Sequence, residues 1–161
     1  MATLNVTITE AITLNGKDQG GSYSGFSNSS ITQVIKRQIE CTAGTELTLY
    51  QASDAVTDSG FVGTGSSWFD EDSIKYVRIT NLAATTVHGF LRLQNSETTP
   101  DEVSYKLYGK QSLILYSHDT SLNAVDEAAL SLGTGEGDIE KVSFEAISTN
   151  QDIELFIAST D

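Results

Sequence analysis

Asp70-Glu71-Asp72 sets three carboxylates side by side, directly after Trp68 and Phe69. Oxygen ligands at that density suit a calcium ion. The spacing is not that of an EF-hand and no turn glycine lies within it, so a solvated loop ahead of a strand is the competing reading. Asp18 with Asp54 or Asp58 is a weaker version of the same idea. His88 and His118 are the two histidines, and Asp119 adjoins His118, so a Ser-His-Asp set can be drawn among the many serines. A triad is defined by geometry and roles, not by adjacency. The chain also lacks a Gly-x-Ser-x-Gly elbow. Both histidines are expected to face solvent, and nothing gives them metal-ligand spacing.

Cys41 is the single cysteine. That excludes an intrachain disulfide and a cysteine-rich zinc site. Its surroundings, Ile39-Glu40-Cys41-Thr42, alternate as a strand does, which favours a buried structural thiol over a nucleophile needing a positioned base. Gly60, Gly63 and Gly65 suggest a phosphate loop, but no Lys-Ser/Thr follows and the segment runs into acids. Without those features the physical basis for holding phosphate is absent. The expectation is a non-enzymatic chain with no catalytic residues, no cofactor and no metal.

The elements that would position any site are strands. Leu4, Val6, Ile8, Ile12 and Leu14 alternate with polar residues, and Asn15-Gly16-Lys17-Asp18 closes that run with turn chemistry. Residues 18–30 read as a Gly/Ser-rich loop carrying Tyr23 and Phe26. Strands follow at about 31–41 and 45–51, then a long loop at 52–71. Ile74 to Thr80 and Val87 to Leu93 flank a short polar segment and read as a hairpin. Val103 to Leu107 and Ser112 to Tyr116 form a second pair around Gly109-Lys110. Residues 117–137 are mostly loop, with one helical turn expected within 123–132. Strands at 141–147 and 152–158 complete the chain. No segment can serve as a helical crossover, so the sheets must be antiparallel. The expectation is a single all-β domain, an antiparallel, jelly-roll-like β-sandwich of eight to nine strands.

Composition agrees. Ser and Thr make up about a quarter of the 161 residues, and Pro occurs once. Nine Lys and Arg stand against 22 Asp and Glu, for a net charge of −13. That argues against nucleic acid and against an anionic membrane as partners. No apolar run is long enough for a transmembrane helix. The beginning, Met1-Ala2-Thr3-Leu4-Asn5, lacks the pattern of a signal peptide, so synthesis in a host cytoplasm is expected. Most basic residues sit on or beside strands, Arg78 and Arg92 among them, while many acids sit in loops. Such segregation suits docking on another acidic protein.

Asp72-Ser73-Ile74-Lys75-Tyr76-Val77-Arg78-Ile79-Thr80-Asn81-Leu82, Phe90-Leu91-Arg92-Leu93, Tyr105-Lys106-Leu107 with Gly109 to Leu115, and the ending Asp152 to Thr160 resemble small virion structural proteins of tailed bacteriophages, marine and cyanobacterial phages in particular. The resemblance spans about residues 70–160 and includes capsid decoration, or cement, proteins. It implies a non-enzymatic β-sandwich on the outer surface of a virion, stabilising the shell by binding the major coat protein. A tail, baseplate or head-fibre component, and a carbohydrate-binding module stacking Trp68 or Tyr23 on a sugar, are the alternatives.

Tyr23, Phe26, Phe61, Val62, Trp68 and Phe69 fall in the expected loops. Large apolar groups placed there either fold back over the core or bury against a partner. They are the candidate contacts to a coat protein or to a neighbouring copy in a dimer or trimer, with Arg78 and Arg92 adding electrostatic complementarity.

Overall fold

The computed structural model describes residues 1–51, 73–94, 102–116, 123–124, 137–138 and 141–160. Its first layer is an antiparallel ribbon of β1 (Ala2–Glu10) and β4 (Gly21–Ile31), with the short pair β2 (Thr13–Leu14) and β3 (Lys17–Asp18) beyond it. Asn15 and Gly16 both have positive φ, 53° and 73°, as a tight two-residue hairpin turn requires.

The body is built from β5 (Gln33–Cys41), β6 (Glu46–Gln51), β7 (Ile74–Asn81), β8 (His88–Gln94), β9 (Glu102–Tyr108) and β10 (Ser112–Tyr116). After the small pair β11 (Asn123–Ala124) and β12 (Gly137–Asp138), β13 (Lys141–Ala146) and β14 (Gln151–Ser159) complete it. Two four-stranded antiparallel sheets result, in the orders β10-β7-β14-β5 and β6-β13-β8-β9. We call these the first and second sheets.

Period-two alternation explains the packing. Val77 and Ile79 of β7, Leu155 and Ile157 of β14, Leu91 and Leu93 of β8, and Val142 and Phe144 of β13 share one core between the sheets. Intervening residues point outward, because successive side chains leave opposite faces of a strand. Cys41 is fully buried in that core, as a structural thiol should be.

Pairing departs from the sequence reading in two places. β7 and β8 do not form a hairpin: they lie in opposite sheets, and so do β9 and β10. The apolar faces of β7 and β8 are satisfied by meeting across the core, about 10 Å apart in stacked sheets. The connection at 82–87 crosses that gap. The pairing within the second sheet is instead β8 with β9, Leu91 opposite Tyr105.

Residues 18–30 are not a loop. β4 occupies most of that span, its backbone paired from Ile31 to Gly21 against Ala2 to Glu10. Hydroxyl and amide side chains hid it, and they pair across the ribbon: Thr7 with Ser24, Thr9 with Ser22, and Ser27 donating to Asn5. Of the helical turn expected in 123–132, Asn123–Ala124 is strand and the remainder lies outside the described residues.

Connections of four to six residues or fewer, at 42–45, 82–87, 109–111 and 147–150, gather at one end of the sandwich. There Gly109 approaches the 82–87 segment so closely that a Cβ would fall 2.0 Å from the Ala84 carbonyl oxygen. The β6–β7, β8–β9 and β10–β13 connections leave from the opposite end.

Candidate interaction surface

The ribbon is amphipathic. Leu4 and Val6 of β1 and Phe26 and Ile31 of β4 pack on Tyr76, Ile114, Phe156 and Ala158, which form the outer face of the first sheet. The seam is aromatic: Phe26 lies 6.4 Å from Tyr76 and 5.2 Å from Tyr116, and Tyr76 meets Phe156 edge-on at 5.7 Å. Phe26 therefore folds back over its own chain and is buried.

β4 carries one more residue than β1 between the pairs Val6–Phe26 and Ile8–Tyr23. That bulge returns Tyr23 to the apolar face of the ribbon, beside Ile8. The Tyr23 ring lies across Gly25, where any Cβ would overlap it. Beyond this point the apolar face is uncovered: Ile8 is 41% exposed, Ile12 57%, Leu14 60% and Tyr23 63%. A depression of about 320 Å³ opens there between Ile8, Glu10, Gly21, Ser22 and Tyr23. A groove of about 270 Å³ runs along Leu4 to Ile8, floored by Tyr76, Ile114 and Phe156 and lined by Arg78.

Both arginines singled out in the sequence are engaged within the chain. Arg78 binds Glu154 at 2.6 Å and lies over the Phe156 ring, 5.7 Å from its centre. Lys36 reaches the same carboxylate at 3.0 Å from the neighbouring strand. The Lys36 hydrogen bond, aided by the Lys36 and Arg78 charges, holds the Glu154 carboxyl below its usual range, with partial desolvation opposing. Arg92, on the outer face of the second sheet, bridges Glu46 at 2.6 Å and Glu145 at 3.3 Å. Those two acids stand directly opposite each other on β6 and β13, a like-charge pair whose repulsion Arg92 offsets.

Other sequence candidates are dispersed. His88 lies on the outer face of the second sheet with Phe90 and Arg92, half-buried, its ring 6.1 Å from Phe90 and 5.1 Å from Tyr108. Burial, with Asp152 and Glu40 nearby, pushes the Cys41 thiol up to about 11, far from a reactive thiolate. Among the described residues no cluster of three or more His, Cys, Asp or Glu could hold a metal ion. Phe61, Val62, Trp68, Phe69, Asp70-Glu71-Asp72, the Gly60–Gly65 segment, His118 and Asp119 lie outside the described residues. The sequence reading missed Ile8, Ile12 and Leu14 as surface candidates. The Asn15-Gly16 dipeptide was the available signal, since such a turn demands a returning strand.

Fold and surface together define an all-β sandwich with an amphipathic ribbon laid on its first sheet. Comparison with protein-family models finds no match to this chain, and comparison with curated proteins finds no similar sequence.

Proposed function

We propose that this chain is a non-enzymatic virion structural protein that decorates a phage capsid, stabilising the shell by binding the major coat protein from outside. The observation that carries the docking reading is the projecting half of the ribbon, where Ile8, Ile12, Leu14 and Tyr23 present apolar surface to solvent. Contiguous apolar exposure of that kind marks protein contact sites. The sequence resemblance of residues 70–160 to virion proteins supplies the coat as partner. We further read the sandwich as a jelly roll: with β11 and β12 left aside, its eight strands run sixth-third-eighth-first in one sheet and second-seventh-fourth-fifth in the other. That order is two interlocked Greek keys. Phe61, Val62, Trp68 and Phe69, which lie outside the described residues, belong to the proposed contact set as well.

The test is occupancy on undecorated heads. The double variant Ile12→Ser, Leu14→Ser alters exposed side chains and is expected to fold while losing most of its binding. Wild-type binding by the folded variant overturns docking through the ribbon. Recovery of the protein from purified tails and not from purified heads overturns the capsid assignment.

A further inference from the structure

Edge strands invite pairing with another chain, and proteins blunt them with charge, bulges or shortness. Most strand edges among the described residues are blunted. β5 carries the exposed Lys36, Arg37 and Glu40. β9 carries Glu102 and Lys106, β6 begins with Glu46, and β10 has only five residues. β4 contains the extra residues at both register shifts of the ribbon.

β1 has none of these devices. Among the described residues β4 is its only strand neighbour, so its other edge is unpaired. Its nine residues contain no Lys, Arg, Asp or Pro, and its single acid, Glu10, is terminal. Five consecutive residues, Leu4 to Ile8, line the groove over Tyr76, Ile114 and Phe156. Consecutive strand residues, which alternate between faces, line one groove where it runs along the strand's edge. Arg78 also lines this groove.

We infer that the strand added is β1 of a second copy, giving a two-fold dimer with a continuous β4-β1-β1-β4 sheet. The register follows from the sequence. Antiparallel pairing centred on Val6 sets Leu4 opposite Ile8 of the other copy, Val6 opposite Val6, Asn5 opposite Thr7 and Thr3 opposite Thr9. Leu4, Val6 and Ile8 then each meet an apolar residue, Ala2 lies opposite Glu10, and no charges oppose. A two-fold axis makes such contacts self-complementary. Electrostatics favours the same place. Residues 1–31 carry Glu10, Lys17 and Asp18 as their charged side chains, so nearly all of the −13 charge lies elsewhere, and two copies approach with least repulsion through the ribbon.

The experiment is a pair of charge variants read by sedimentation equilibrium on the isolated protein, so it does not depend on the capsid reading. Asn5→Lys with Thr7→Lys sets lysines opposite lysines twice. Asn5→Lys with Thr7→Glu sets lysines opposite glutamates twice. Both disturb the exposed Asn5–Ser27 and Thr7–Ser24 contacts alike. The expected result is a dimeric wild type, with the lysine–lysine variant dissociating at least about tenfold more readily than the lysine–glutamate variant. A monomeric wild type overturns the inference. So does a dimer that the two variants weaken equally, or that neither weakens, because the copies then meet elsewhere or in another register.

Discussion

The side-chain amide of Asn81 donates to Gln151 Oε1 at 2.7 Å and to the Leu107 carbonyl oxygen at 3.1 Å, while Gln151 Nε2 donates to the His88 carbonyl oxygen at 2.8 Å. Both amides are buried. Asn81 and Gln151 belong to β7 and β14 of the first sheet, whereas Leu107 and His88 belong to β9 and β8 of the second. The pair therefore ties the two sheets at the end where the short connections gather. Asn81 Oδ1 also accepts from the Ala83 N–H, starting the crossing to β8.

Asn81→Leu removes the donor to Gln151 Oε1 and the acceptor of the Ala83 N–H, leaving both without that partner. At about 1–3 kcal/mol for each orphaned group, a loss of roughly 2–4 kcal/mol is expected in urea unfolding. A loss below about 1 kcal/mol would show that the amide pair does not hold the sheets together.

Phe26→Ala strips the aromatic seam under the ribbon. A buried Phe→Ala change costs about 3–5 kcal/mol, and a two-stranded ribbon is marginal without a partner surface. The expected outcome is local: amides of β1 and β4 lose hydrogen-exchange protection while those of β14 keep theirs. Equal loss across both regions would mean that ribbon and sandwich unfold as one unit.

Stability should fall in acid through Glu154. Its folded carboxyl titrates below the ordinary 4.5, chiefly through the Lys36 hydrogen bond. The stabilisation is present above that value and is lost as pH falls through the folded titration. Glu154→Gln should lower stability modestly at neutral pH and flatten the decline below about pH 5. An unchanged acid slope in the variant would assign the decline to other carboxylates.

Cys41 should resist a water-soluble disulfide reagent at mildly alkaline pH and react fully once urea unfolds the chain. Its thiol is buried and its titration is raised to about 11, so little thiolate forms in the native state. Rapid native-state labelling would place Cys41 in a transiently opened segment.

Strand positions were legible wherever one face is apolar. Leu47 and Leu49, Val142 and Phe144, and Ile153, Leu155 and Ile157 announce themselves by alternation, and all lie in or against the core. The all-β class and the burial of Cys41 follow from the same local rule, because a period of two depends on neighbours in sequence alone. Partner choice is not local. Whether Val77 and Ile79 sit beside Leu91 and Leu93 or face them across a core depends on what else needs covering, and the chain resolved it by crossing sheets. β4 was hidden for a related reason: its buried side, Phe26 and Ile31, exists only because Tyr76, Phe156 and Ala158 line the outer face of another sheet. The roles of Arg78 and Arg92 were equally out of reach, since Glu154, Glu46 and Glu145 come near them through strand register and not through sequence spacing. Alternation in the sequence determined most of the strands, β4 excepted; the pairing of the strands, and with it the surface the molecule presents, was decided by the competition of all apolar faces for cover.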